Sequence, residues 1–469
     1  MNKYLIKFFW MGFPLFNNLI NLIFTKIIAN ISSIGRFGEF NLVKSVIMFI
    51  GPIITLGLPQ ALIRFLPSDK DRKEIFLKKI VKASKILFLI LSIFSSIIIY
   101  ILRIPLNMYF INEGLIILII LYIYLQNFGQ ILNSIDRAEL NLKKYNLYTF
   151  AVNTISIILF LFICKNNDSI TSYFLSYVIS YIIINNIFYS ILIKSTNKTD
   201  TNINFDIKAL IWYGLPLVAI NISGILLSIG DRFVLNIFNS SNDVGIYSGI
   251  YSITNGIWSL MFMVISSYVY PIYMKLYKKQ GKEKVTQFLS LVNNIMINIA
   301  IGAMFFISIF NEFIVKLFLS NEYIGNYTLI ILLFSGNILY GIYYLTSSEY
   351  YINKNTKVLM KGMLFIGLMN TILNIITIPI MGINGAAFST IISYITLVII
   401  TYKKQTIMEF RIYKGTFIKN ITILITIAIV TENLIVKNIY SFLTMLVIYI
   451  LLFGICNRKL IKLGLRIEI

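Results

Sequence analysis

Apolar residues fall along this chain in runs of about twenty, parted by short stretches of charges, asparagines, glycines or prolines. A helical run of about twenty apolar residues crosses roughly 30 Å of hydrocarbon, so each run reads as one transmembrane helix. Breaking at the polar stretches predicts about fourteen helices. The first seven are 9–31, 41–62, 84–102, 114–135, 147–164, 170–193 and 209–230. The second seven are 244–270, 286–310, 326–351, 358–378, 385–402, 417–430 and 439–456. Inside a bilayer only a helix or a closed barrel satisfies its own backbone, and runs this long exclude strands. The fold class is all-α and polytopic.

Charge gives the pattern a direction. With the N-terminus placed inside, the inward loops and both tails hold 30 of the 41 lysines and arginines, and the outward loops hold 6. That asymmetry predicts a multi-pass protein of the cytoplasmic membrane with both termini cytoplasmic. It also accounts for the net charge of +22, which belongs to the anionic inner leaflet and not to a nucleic-acid partner. At 58% hydrophobic and 13% charged residues, a soluble domain is excluded. The opening "MNKYLIKFFWMGFPLFNNLINLIF" has a basic start but no small-residue cleavage motif, and reads as a retained first span. The outward loops are short, so the work is done within the bundle.

Histidine is absent, which removes His-based catalysis and His metal sites. Cys164 and Cys456 fall on opposite faces of this topology and predict no disulfide. No metal or organic cofactor is expected, and the chain does not read as an enzyme.

An internal repeat organises the helices. "WMGFPLFN" at Trp10 matches "WYGLPLVA" at Trp212, and "RFGEFN" from Arg36 matches "DVGIYS" from Asp243, aligning Gly38 with Gly245 and Phe40 with Tyr247. "NTISIILF" from Asn153 matches "NTILNIIT" from Asn370, and "FLSYVISYI" ending at Ile182 matches "FSTIISYI" ending at Ile395. Four landmarks in one order, at offsets from 202 to 217, predict two parallel six-helix lobes related by an axis along the membrane normal. The division is 1–208 and 209–404, with 405–469 adding two helices and a tail. On this reading Asp231 and Arg232 mark the outer end of the seventh helix, and Gly245 and Tyr247 form the turn into the eighth.

These landmarks carry a resemblance. "GRFGEF" with "LGLPQALIRFLP", "GDRFVLNIF" with "DVGIYS", and "PIMGINGAAFSTIISY" together resemble the Wzx-type polysaccharide flippases of the multidrug/oligosaccharidyl-lipid/polysaccharide exporter superfamily. The likeness runs from Trp10 to about Lys404. It implies a MATE-like fold of two lobes, alternating access, and export of a lipid-linked oligosaccharide from the inner to the outer leaflet. The implied substrate is a polyprenyl-diphosphate-linked glycan for a surface polymer such as O-antigen, capsule or a teichoic-type polymer. The implied partners are membrane lipids and a polymerase or glycosyltransferases of the pathway. The chain is expected to act as a monomer.

Ionisable groups inside spans are costly and default to function. Lys26 and Lys44, in the outer halves of the first two helices, could hold a diphosphate in a central cavity, or could snorkel to the outer interface. Arg64, closing the second helix, could receive the diphosphate at the inner face, although the positive-inside rule weighs it as an anchor. Asp231 and Arg232 could form an outer gate or fix a helix end. Glu349, between tyrosines, could carry a coupling H+ or Na+, or sit at the interface. Asn17 with Asn21, Asn221, and Asn370 with Asn374 could line a hydrated cavity or act as interhelical glue. The last two helices could flank the lipid tail or only complete the bundle.

Two other functions compete. A MATE-like multidrug or cation antiporter would need a membrane carboxylate on the first or seventh helix, where the sequence offers only Asp231. A polytopic glycan polymerase or glycosyltransferase would need a large outer loop with clustered acids or arginines, which is missing.

Overall fold

The computed structural model describes residues 3–66, 70–139, 141–165, 169–194, 206–353, 355–403, 414–434, 439–456 and 458. Its regular elements are helices, with no strand among the described residues. Among the described residues, ten helices are long and apolar enough to cross a membrane. The chain divides into two compact units, Met1–Gly245 and Ile246–Ile469. That boundary lies beyond the repeat boundary at 208/209, because the helix opening the second repeat is built into the first unit.

The first unit contains α1 (Lys3–Ile31), α2 (Ile34–Thr55), α3 (Leu58–Phe65), α4 (Lys70–Leu102), α5 (Glu113–Ala138), α6 (Leu142–Ile163), α7 (Ser169–Lys194) and α8 (Ile207–Phe238). Helix α7 is its spine, packing on α5 and α6, while α1 lies on α6 and α8 lies on α2 and α3. Ser172, Ser176 and Ser180 repeat every four residues on α7 and are fully buried. Small side chains at that spacing let membrane helices approach closely. An aromatic cluster fills the space beside them: Phe24 of α1 and Phe40 of α2 meet Tyr173 at 5.4 and 4.4 Å between ring centroids. Tyr122 of α5 meets Phe174 at 5.3 Å.

Four helix limits in this unit differ from the sequence reading by seven residues or more, each for a local reason. Helix α2 starts at Ile34 and not at 41, because the Ser33 side chain caps it, accepting from the Arg36 amide at 3.4 Å. It then ends at Leu56 and Gly57, both left-handed, before α3 opens on Pro59. Helix α4 starts at Lys70 and not at 84. The charges of "KDRKEIFLKKIVKASK" end the hydrocarbon-spanning stretch, but Phe76, Leu77, Ile80 and Val81 keep a buried face at helical spacing. Helix α8 continues eight residues past Gly230 to Phe238, and Asp231 and Arg232 therefore lie inside it.

The second unit holds most of α9 (Ser241–Ile309), then α10 (Asn311–Phe318), α11 (Tyr327–Thr346), α12 (Ser348–Ile352), α13 (Thr356–Lys403), α14 (Lys414–Leu434) and α15 (Ile439–Cys456). Helices α9 and α13 are too long for one crossing, and each reverses at a left-handed glycine, Gly281 (φ 76°) or Gly382 (φ 55°). Contacts prove the reversals. The Asn370 amide donates to Ser393 Oγ at 3.1 Å, although 23 residues of straight helix would separate them by about 35 Å. Likewise a Cβ at Gly341 would touch both Trp258 and Met296, which belong to opposite limbs of α9. Helix α13 packs along α11. Helices α14 and α15 are tied to the second limb of α9 by a buried network. The Asn420 amide donates to the Asn298 carbonyl at 3.0 Å, and the Tyr449 hydroxyl donates to Asn420 Oδ1 at 2.9 Å.

Candidate functional site: membrane cations on α2 and α8

Because α2 begins at Ile34, Lys44 is the eleventh of its 22 residues. Mid-helix is about 15 Å from either end, beyond the reach of a snorkelling lysine. A charge at that depth costs at least ~2.5–3.5 kcal/mol on insertion scales. The Lys44 side chain is exposed, on a stripe shared with Met48, and its Nζ lies 5.8 Å from the ring centroid of Phe40. Arg232 of α8 is close enough to act on it electrostatically. Two cations 188 positions apart in the sequence thus lie within electrostatic range of each other.

Arg232 is buried and donates from Nη1 to the Ser228 carbonyl at 3.3 Å, one turn back on its own helix. Asp231 beside it is 2% exposed. The pair therefore belongs to the packed interior of α8. Lys26 faces the other way from the Asn17, Phe24 and Ile28 side of α1, is half-buried, and stands five residues from the helix end, about 8 Å along the axis. Arg64 is exposed in the last turn of α3.

The asparagines separate into two kinds. Asn21 and Asn221 are exposed, whereas Asn17 is buried on the α6 side of α1, its Oδ1 enclosed without a donor among the described residues. Asn370 and Asn374 are fully buried between the limbs of α13, the Asn374 amide donating to Asn370 Oδ1 at 3.1 Å. That geometry ties two helical limbs together. Glu349 is 8% exposed, set apart from α11 on the short helix α12, and accepts from the Asn353 amide at 3.4 Å.

The opposite face of α2 carries a different surface. Ile53 is nine residues from Lys44, half a revolution round the helix. Together with Ile50, Phe94, Ile98, Leu226 and Phe233, it lines an almost purely apolar cavity of about 470 Å³ between α2, α4 and α8.

The helix starts that flank these groups form a reciprocal crossing. A Cβ at Gly38 would collide with the Ser241 carbonyl, and one at Gly245 would collide with the Ile34 carbonyl. Adding the repeat offset of 207 turns the first contact into the second, and Gly35 meets Asn242, its own counterpart. The caps also correspond: Ser240 Oγ accepts from the Asp243 amide at 3.2 Å as Ser33 does from Arg36. Gly245 and Tyr247 thus lie in the opening turns of α9, not in a loop before it. Tyr247 is fully buried in the second unit and stacks on Tyr251.

Residues 8–277 match the polysaccharide biosynthesis protein family, a span that includes Lys26, Lys44, Arg64, Asp231, Arg232 and Gly245. The chain belongs to that family. Among solved structures, this polysaccharide biosynthesis protein is similar to the lipid II flippase MurJ in its inward closed conformation, with 19% identity and a TM-score of 0.72. The match covers 97% of this chain and 100% of the other. It is also similar to an inward-facing multidrug resistance MATE family transporter of the MOP superfamily, with 17% identity, coverage of 82% and 93%, and a TM-score of 0.61. A MATE protein in complex with MaD5 aligns at 16% identity and a TM-score of 0.59, over 84% and 92% of the two chains. At these identities the likeness establishes the fold, which is the MurJ/MATE-like helical fold expected from the sequence. No curated protein matches the chain. The family and the apolar helices together make this a multi-pass membrane protein.

Proposed function

We propose that this protein is a flippase that carries a lipid-linked, diphosphate-headed glycan from the inner to the outer leaflet of the cytoplasmic membrane. The observation that supports the reading is Lys44, a cation at the middle of α2 within electrostatic range of Arg232. Such a site suits a phosphate or diphosphate, and the apolar cavity on the far side of α2 suits hydrocarbon. The multidrug antiporter reading has less support: α1 carries no acid, and Asp231 of α8 is buried. The membership in a polysaccharide biosynthesis family supports a glycan cargo. The glycan serves a surface polymer, the termini are cytoplasmic, the protein works as a monomer, and an ion gradient acting through Glu349 drives the cycle.

The test is flipping of a fluorescent polyprenyl-diphosphate glycan by protein reconstituted in liposomes. Lys44→Gln removes one charge-assisted contact worth ~1.5–3 kcal/mol, so the rate falls roughly 10- to 150-fold. Lys44→Arg restores most of it. A normal rate with Lys44→Gln, or export of cationic drugs in place of the glycolipid, refutes the proposal.

A further inference from the structure

A second charged site lies away from the Lys44–Arg232 pair, at the lysine-rich end of the first unit. A pocket of about 430 Å³ opens among the ends of four helices. Lys73, Glu74 and Leu77 come from the start of α4, and Leu132, Ile135, Asp136 and Glu139 from the end of α5. Lys144 comes from the start of α6, and Phe188, Ile191 and Leu192 from the end of α7. Leu132 and Ile135 of α5 and Leu192 of α7 close apolar crossing segments and place the inner side of the pocket at the membrane edge, with the charged start of α4 reaching beyond it.

Its charges are unbalanced. Lys73 Nζ pairs with Glu139 Oε1 at 2.7 Å, which leaves Lys144 facing two carboxylates, Glu74 and Asp136. Asp136 is the decisive group. It is 8% exposed and lines the pocket. Lys144 and Glu139 act on it electrostatically with opposite signs. The C-terminal end of α5, where Asp136 stands, is the wrong pole of a helix for an anion. A buried carboxylate in that position calls for a cation with donors to give. Phe188, Ile191 and Leu192 supply an apolar wall, and Ile191 is exposed on the outside of the bundle.

We infer that this pocket binds an aminoalkyl phosphate, namely the headgroup of an ethanolamine-type phospholipid. The primary ammonium donates to Asp136, the phosphate lies against Lys144, and the glycerol end leaves along the α7 wall toward the bilayer. Both formal charges of the ligand are then met, and the volume is that of a headgroup and not of a bare ion. This inference is independent of what the protein transports.

The experiment uses the full-length protein in nanodiscs containing equal amounts of phosphatidylethanolamine, phosphatidylcholine and phosphatidylglycerol. Lipids that survive release from the disc are counted by native mass spectrometry. The ethanolamine lipid is expected to be enriched over both others. Asp136→Asn abolishes that enrichment, a loss of roughly ten-fold, and Asp136→Glu retains it. Lys144→Gln weakens all three lipids alike. On the unaltered protein, stepwise N-methylation of the ethanolamine removes donors and lowers retention at each step, which needs no variant to fold. Displacement by soluble phosphoethanolamine places recognition in the headgroup alone, and failure to displace places it in the whole lipid. Equal retention of the ethanolamine and glycerol lipids, or full enrichment with Asp136→Asn, overturns the inference.

Discussion

Gly38→Ala adds one methyl group at the crossing of α2 and α9, where there is no room for it. The new Cβ would sit 2.8 Å from the Gly245 nitrogen and 2.9 Å from the Ser241 carbonyl carbon, with the carbonyl oxygen closer still. Ordinary contact begins at 3.4 Å, and every colliding atom is backbone, so no side chain can turn aside. The carbonyl oxygen sets the requirement, so the helix starts must part by more than about 1 Å, and overpacking of that size costs ~2–3 kcal/mol. Alanine repays part of this through its helix propensity, by up to ~1 kcal/mol. The net penalty is ~1–2 kcal/mol, or roughly 5- to 30-fold against the joined arrangement. Gly230→Ala is the control, since a Cβ there meets nothing within 4 Å and only the propensity gain remains. A cysteine pair at Gly35 and Asn242 reports the crossing, because a Cβ at Gly35 lies 3.7 Å from Asn242 Cγ. In a background lacking Cys164 and Cys456, oxidative cross-linking of that pair should slow 5- to 30-fold on adding Gly38→Ala. Gly245→Ala should slow it similarly, and the double variant should add little, since one parting of the helices relieves both collisions. Unchanged cross-linking together with an unchanged melting temperature would show that the two helix starts do not meet as described.

Other outcomes follow from the same geometry. Asn420→Ala breaks the Asn298–Asn420–Tyr449 network and leaves buried groups without partners, so stability should fall by ~1–3 kcal/mol; a melting temperature equal to the parent's argues against docking of α14 and α15 through these residues. Gly281→Ala meets no steric neighbour, but φ 76° with ψ −169° is a region essentially restricted to glycine. It should cost ~1–3 kcal/mol in a denaturation series, and tolerance without loss would mean the reversal is formed differently. Thr377→Val removes a hydroxyl 2.7 Å from Ser389 Oγ across the α13 reversal, and should destabilise by ~1 kcal/mol as read by thermal unfolding. No shift in unfolding temperature would dismiss that contact as a contributor.

Periodicity and sidedness made the helices legible, since hydrocarbon imposes length and closure on every crossing. Gly281 and Gly382 fall between segments that the sequence separates, and the Asn370/Asn374 spacing correctly puts both amides on one face. The misplacements came where a polar signal outranked local helix chemistry. Gly230 followed by Asp231 reads as a terminus, yet Leu227, Asp231, Val234 and Leu235 keep a buried face at helical spacing and the helix continues. Ser33 is a capping residue in plain view, but the glycines after it made the segment look like a loop. The nearness of Lys44 to Arg232 leaves no local trace, because it depends on how α2 lies against α8. Asp136 was hidden for the opposite reason: a carboxylate near Arg137 and Lys144 reads as one more loop charge until its burial is seen.

The reciprocal crossing of α2 and α9 has an ancestral meaning. A contact that maps onto itself when its two halves are exchanged is the kind that two identical chains make with each other about a dyad. A half-length precursor could therefore have docked on its own twin through the Gly35–Gly38 turn before one gene encoded both halves. Once fused, the twins were free to differ. Position 44 is lysine in the first half, and its counterpart at the same offset is Tyr251 in the second. The joint has glycine on both sides, at Gly38 and Gly245, while the charge stands on one side alone.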